Sequence, residues 1–141
     1  MENVKLIEFI ENIKAEFTDL NSAEIIVAGG KGMKNADGFK ILKEFAELIG
    51  GTVGASRGAV EAGLAPAEIQ IGQTGKTVAP KLYIACGISG AIQHTCGMEN
   101  SEFVIAINKD ENAPIFSVSD IGIVGDVFEV LPKIARSLKA K

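Results

Sequence analysis

From Leu82 to His94 the chain reads Leu-Tyr-Ile-Ala-Cys-Gly-Ile-Ser-Gly-Ala-Ile-Gln-His, an apolar strand-like segment followed by a Gly-containing turn and the opening of a helix. That order leaves few folds open. A strand that ends in glycine and feeds a helix brings the helix's unpaired N–H groups and positive dipole end to the strand's carboxyl edge, where an anion can approach bare backbone. Two more Gly-bracketed turns lie upstream, Gly54-Ala55-Ser56-Arg57 and Ile71-Gly72-Gln73-Thr74-Gly75-Lys76. Together the three predict a single binding crevice. His94, a turn into the helix, is the only histidine in the chain.

The same alternation runs through the rest of the sequence. Val4, Ile7, Ile10, Ile13, Phe17 and Leu20 fall three or four apart, so residues 1–20 read as an amphipathic helix or linker ahead of a domain over 21–141. Ala23 to Ala28 predicts a strand, Gly29 to Lys34 a Gly-rich turn, and Phe39 to Ile49 a helix stopped by Gly50-Gly51. Thr52 to Ser56 predicts a second strand and Gly58 to Ala62 a short helix. After Pro66, Glu68 to Ile71 predicts a third strand, Thr77 to Leu82 a helical turn around Pro80, and Leu82 to Cys86 a fourth strand feeding a helix at Gly90. Phe103 to Ile107 is continuously apolar, as in a strand buried on both faces of a parallel sheet. Ile115 to Val118 and Ile121 to Val124 predict two more strands, and a C-terminal helix starts at Asp126, with Pro132 as the place where it can kink. Strands alternating with short helices call for an α/β fold with a doubly wound, Rossmann-like, mostly parallel sheet, helices on both faces, and a ligand at the carboxyl ends of the strands.

Composition narrows the partners. A chain of 141 residues makes one domain with a real core. Its net charge of −4 repels phosphate backbones, which argues against nucleic acid. Cys86 and Cys96 are too few for a disulfide scaffold and lack metal-ligand spacing, so both are expected as reduced, packed thiols. No run is long enough to insert in a membrane, and Glu2, Glu8, Glu11 and Glu16 make the first stretch unlike an Arg-rich transit peptide. The expected location is the cytoplasm.

Ser56, Arg57, Gln73, Thr74, Ser89, Gln93, His94, Asn108 and Asp126 each follow an apolar run closely, which an open α/β sheet gathers along one edge. Hydrolysis is poorly served: Ser89, His94 and Asp126 could be drawn as a triad, but Ser89 lacks the Gly-x-Ser-x-Gly turn that presents a nucleophile. A metal site is poorly served too, because one histidine and scattered carboxylates make no chelating cluster. Gly72 to Thr77 ends like a Walker loop, yet Gln70 stands where that loop needs its first glycine. Neutral donors, one arginine and one histidine remain, a set suited to a planar heterocycle on a diphosphate. Lys31 in the first Gly-rich turn is either a phosphate contact or a plain surface lysine. Singly, Arg57 reads equally well as a surface ion pair and His94 as a helix residue serving a backbone carbonyl.

The segments Gly54-Ala55-Ser56-Arg57, Gly72-Gln73-Thr74-Gly75-Lys76, Gly87-Ile88-Ser89-Gly90-Ala91-Ile92-Gln93-His94, Ala106-Ile107-Asn108-Lys109-Asp110 and Ala113-Pro114-Ile115-Phe116 carry a resemblance. In order and without large gaps, Ala23 to Leu138 resembles the FAD-binding C-terminal domain of the electron transfer flavoprotein alpha subunit. The resemblance implies FAD as cofactor and a beta subunit as partner, with electrons arriving from dehydrogenases such as the acyl-CoA enzymes and leaving to an acceptor oxidoreductase. It makes the chain a redox carrier rather than an enzyme with its own substrate, with no metal. It further implies that Ser56 and Ile71, Gly72, Gln73 and Thr74 contact the flavin and its chain, and that Arg57 lies over the isoalloxazine. Ser89, Gly90, Ala91, Ile92, Gln93 and His94 would hold the pyrophosphate and ribityl region, with His94 at the pyrimidine edge. Asn108, Asp126 and Val127 would face the adenosine. Arg57 and His94 are then the residues that tune the redox potential. Position 31, commonly arginine in the family, is lysine here, so a bidentate phosphate contact becomes a point charge. The other readings are a nicotinamide- or thiamine-linked enzyme domain on a similar sheet, and a nucleotide-binding module without redox chemistry.

Overall fold

Residues 20–140 are described in the computed structural model, so the helix expected over residues 1–20 falls almost wholly outside them. Strands β1 (Ile25–Gly29) and β3 (Leu82–Cys86) are apolar at successive positions, and such strands are stable only where both faces are covered. They pair in parallel at the centre of the sheet, Val27 opposite Ile84. β2 (Thr52–Ala55) lies outside β1, β4 (Phe103–Asn108) outside β3, and β5 (Ile121–Val124) forms the far edge. Among the described residues the sheet has five strands, all parallel, in the order β2-β1-β3-β4-β5. Chain direction across the sheet reverses between β1 and β3, which makes that gap the topological switch point.

Helix α1 (Ala36–Ile49) connects β1 to β2, and the C-terminal α4 (Val127–Lys139) packs against it. Right-handed crossovers place the β2-to-β3, β3-to-β4 and β4-to-β5 connections on the opposite face. Those connections carry only short pieces: α2 (Arg57–Glu61), α3 (Ile92–Thr95) and three-residue or five-residue 3₁₀ turns. Side-chain caps set the helix starts. Asn35 accepts from the Gly38 N–H at 3.0 Å, Ser56 from Ala59 at 3.2 Å, and Asp126 from Phe128 at 2.9 Å. Helix α4 continues through Pro132. Ile26, Val27, Leu42, Tyr83, Ile107 and Leu131 are fully buried in the shared core.

Five local expectations are corrected. Glu68 to Ile71 is not a strand; Ala67–Ile69 forms a 3₁₀ turn behind Pro66, a single bridge from Gln70 to Ala55 touches the sheet's end, and another, Ile71 to Lys76, closes the turn on itself. Ile115 to Val118 is likewise a 3₁₀ turn, because Pro114 fixes the first turn position and the Ile115 N–H donates across to the Ser89 carbonyl at 2.8 Å. Thr77 to Leu82 carries no helical turn, and the helix expected at Gly90 begins at Ile92. In β4, Phe103 is 40% exposed at the strand's open start and Ile105 is half-buried, so only part of the strand is covered on both faces.

The switch point is closed by backbone alone. The Gly30 N–H donates to the Cys86 carbonyl and the Gly32 N–H to Gly87, both at 3.0 Å. Gly87 sits at φ 64°, and a Cβ there would stand 2.8 Å from the Gly32 Cα. Gly87→Ala is therefore expected to destabilise the fold by about 1–3 kcal/mol. Urea unfolding should show a lower midpoint at an unchanged slope.

Candidate functional site

A cavity of about 490 Å³ opens at the carboxyl ends of β1, β2 and β3, within the roughly 300–1,000 Å³ of small-molecule sites. The loop after β1 brings Lys31, and the loop after β2 brings Ser56 and Arg57. The next turn supplies Ile71, Gly72 and Thr74; the loop after β3 supplies Ser89, Gly90, Ala91, Gln93 and His94; the end of β4 supplies Asn108. These sequence-predicted residues thus share one wall. Gln73, Ile92, Asp126 and Val127 stand outside it. Ile92 is 80% exposed, Val127 is buried in the core, and the Asp126 carboxylate caps α4.

The turns interlock before any ligand is considered. The Gln73 N–H donates to the Gln93 carbonyl at 2.6 Å, which fastens the 71–76 turn to the loop after β3. Ser56 and Thr74 each use a lone pair internally, Ser56 from Ala59 N–H and Thr74 from the Gln70 amide at 2.9 Å, so each hydroxyl hydrogen is left to donate. The Asn108 amide is committed at both ends, donating to the Ile88 carbonyl at 3.0 Å and accepting from the Asp110 N–H at 2.9 Å. It braces the cavity's far side. The N–H groups of Gly90, Ala91, Ile92 and Gln93 donate to no backbone carbonyl, as an anion cradle at a helix start requires.

Arg57 Nε lies 2.8 Å from Glu61 Oε1, with both side chains about 60% exposed. An exposed pair one helical turn apart contributes only about 0.3–0.5 kcal/mol, so it orients the guanidinium without neutralising its use. Lys31 lays its stem across Gly58, where a Cβ would come within 3.3 Å of Lys31 Cγ. Both cations therefore sit at the cavity's β1–β2 side.

His94 is the buried polar group of the wall, 6% exposed. Its Nε2 lies 2.8 Å from the hydroxyl of Tyr83, a fully buried residue of β3. Burial lowers the imidazole pKa to about 4; the Ile71 backbone acts weakly the other way, yet Nδ1 makes no hydrogen bond. Burial also raises the Tyr83 phenol and pushes the Cys86 thiol up to about 12. At neutral pH this end of the site is uncharged. Both cysteines are free thiols; Cys86 is packed in the core as expected, whereas Cys96 is only half-buried.

Glu61, Gln70, Ile88 and the glycines at 32, 58 and 87 also line the cavity. Glu61 was legible as the residue four after Arg57, and Gln70 as the residue four before Thr74. Tyr83 carried the plainest missed signal. A tyrosine in an otherwise aliphatic strand must find a partner for its hydroxyl.

An orphaned Nδ1, four unpaired N–H groups, two hydroxyl donors and two cations suit a planar, anionic, acceptor-rich ligand. An open parallel sheet with that crevice at its switch point defines a nucleotide-cofactor-binding α/β domain. Residues 19–99 match the family described as the electron transfer flavoprotein FAD-binding domain, and the chain belongs to that family, whose cofactor is FAD. It is 56% identical over 126 residues to the mitochondrial electron transfer flavoprotein subunit alpha of Dictyostelium discoideum, covering 89% of this chain and 36% of that protein. It is 58% identical to the subunit alpha of Bacillus subtilis, covering 89% and 38%, and 58% identical to that of Megasphaera elsdenii, covering 94% and 40%. The chain thus spans well under half the length of these relatives. A structure assigned as a thiamin diphosphate-dependent enzyme from Mycobacterium smegmatis superposes with a TM-score of 0.51 over 90% of this chain and 27% of that one, at 18% identity, a likeness of fold. Among the described residues no metal-holding cluster occurs, and no helix is long and apolar enough to cross a membrane.

The histidine makes stability depend on pH. Its folded pKa, about 4, lies below its ordinary 6.5, so between those values the unfolded chain binds the extra proton. Stability is complete above about pH 6.5 and falls as the pH drops toward 4, by about 2 kcal/mol at pH 5 and about 3 in all. Unfolding midpoints at pH 7 and pH 5 should show that loss, and His94→Gln should flatten it.

Proposed function

We propose that the chain is the electron-carrier domain of an electron transfer flavoprotein alpha subunit. In this reading it works with a beta subunit, takes electrons from dehydrogenases of the acyl-CoA type, passes them to an acceptor oxidoreductase, and acts in the cytoplasm as a carrier rather than an enzyme. The observation that carries the reading is the placing of Arg57 and a neutral, half-satisfied His94 on one cavity with the unpaired N–H groups of Gly90, Ala91 and Gln93. Hydrolysis finds no support, since the hydrogen bond of the His94 ring goes to Tyr83 rather than to a Ser or Cys, and Asp126 is spent on a helix cap.

When bound, FAD supplies one- and two-electron redox chemistry that side chains lack. The protein's share is binding and electrostatics. Gly90, Ala91, Ile92 and Gln93 would hold the pyrophosphate through backbone N–H groups, with Ser89 beside them and Lys31 as a point charge nearby. Ser56, Thr74 and the Ile71-Gly72-Gln73 backbone would hold the ring, with Arg57 as the cation beside it and His94 as a hydrogen-bonding group toward its pyrimidine edge. Asn108 would lie toward the adenosine; Asp126 and Val127, which the resemblance also places there, stand outside the cavity, the one capping α4 and the other buried in the core. A cation beside the ring favours its anionic reduced forms, whereas neutral His94 offers only a hydrogen bond.

Flavin absorption that stays with the chain through gel filtration, after addition of FAD with or without the beta subunit, is the expected result; flavin lost under both conditions overturns the reading. Arg57→Ala should lower the flavin midpoint potential by roughly 30–60 mV, the tenfold steps of two- and one-electron couples. His94→Ala should shift it less, and a larger shift would reverse the assignment of the two roles.

A further inference from the structure

Tyr83 and His94 form a closed pair in the wall of the cavity. Their 2.8 Å contact is the hydrogen bond of both side chains, and Nδ1 of the ring is left without a partner. Two proton arrangements fit that distance. If Nε2–H donates to the phenol oxygen, the phenolic hydrogen has no acceptor and Nδ1 is a bare lone pair, so two buried polar groups go unpaired. If the phenol donates to Nε2, both of those atoms are satisfied and the imidazole proton sits on Nδ1, leaving one group unpaired. Buried polar groups without partners are costly, so the second arrangement is favoured. Which ring nitrogen carries the proton is set by the bond the other makes.

We infer that Tyr83 is a positioning residue that fixes His94 as its Nδ1–H tautomer, and that this N–H is the donor the site holds ready for a carbonyl oxygen of its ligand. The ligand half of this statement rests on the flavin reading above, in which the oxygen belongs to the pyrimidine edge of the ring. The tautomer half does not. Neither residue contributes charge: the site recognises an acceptor atom by a fixed donor, aimed by a side chain that never touches the ligand. Tyr83 stands at 0% exposure, so no solvent molecule substitutes for its hydroxyl.

Because the chain has a single histidine, nitrogen NMR of the uniformly labelled full chain at neutral pH reads this ring without ambiguity. The expected spectrum shows a protonated Nδ1 and a bare Nε2; the reverse overturns the inference, whatever the variants do. Tyr83→Phe keeps the ring volume and removes only the hydroxyl. It should move the proton wholly or partly to Nε2 and weaken FAD binding about three- to tenfold. In a His94→Gln background the same change should leave FAD affinity where His94→Gln alone put it. An unchanged tautomer in a folded Tyr83→Phe chain overturns the role of Tyr83. A wild-type chain with Nδ1–H that retains no FAD, with or without the beta subunit, overturns the flavin reading and leaves the tautomer standing; FAD retained with the proton on Nε2 does the opposite.

Discussion

The backbone seam between the loops after β1 and β3 is what the rest of the site depends on. Gly30 and Gly32 donate to Cys86 and Gly87 with no side chain between them, so the two central strands end in one fused floor at the switch point. A second fastening, Gln73 to Gln93, ties the 71–76 turn to the same floor. Three chain segments, the loop after β1, the 71–76 turn and the loop after β3, are thereby held in register by main-chain bonds. Side chains at the rim are then free to differ without moving the cavity.

The division of polarity across that cavity follows from the sheet. The β3 side is set against the core, so its titratable groups, His94, Tyr83 and Cys86, are all held neutral by burial. The β1–β2 side lies at the rim, so its cations, Lys31 and Arg57, stay hydrated. A ligand bridging the two sides meets fixed dipoles at one end and mobile charge at the other. Such a gradient orients an asymmetric molecule before any individual contact is formed.

Much of this was legible in the residues. The apolar runs at Ala23 to Ala28, Leu82 to Cys86 and Phe103 to Ile107 point to parallel strands, the central two covered on both faces and the third only in part. Most of the cavity wall followed from one rule, that polar residues just past such strands meet at their carboxyl ends. The failures are instructive in the same terms. Glu68 to Ile71 and Ile115 to Val118 have the alternation and the β-branched residues of strands, but the first is bent into a 3₁₀ turn behind Pro66 and meets β2 at a single bridge, and in the second the Ile115 N–H is claimed by Ser89. Local pattern carries no record of a long-range claim on a peptide group. Nor could spacing show that Tyr83 and His94 meet, since the hydrogen bond depends on how the loop after β3 folds back over its own strand.

The far edge of the sheet has a consequence of a different kind. β5 is only four residues long, and Ile121 and Val124 are 45% and 58% exposed along a row of peptide groups that no further strand covers among the described residues. At its entry Asp120 bonds back to β4, its carboxylate accepting from the Val104 N–H at 2.7 Å and its own N–H donating to the Val104 carbonyl. An incoming strand from another molecule would meet a negative charge first and then find few groups to bond. Brevity and charge act here as protection against sheet-to-sheet aggregation, at an edge that exposed apolar side chains would otherwise make adhesive.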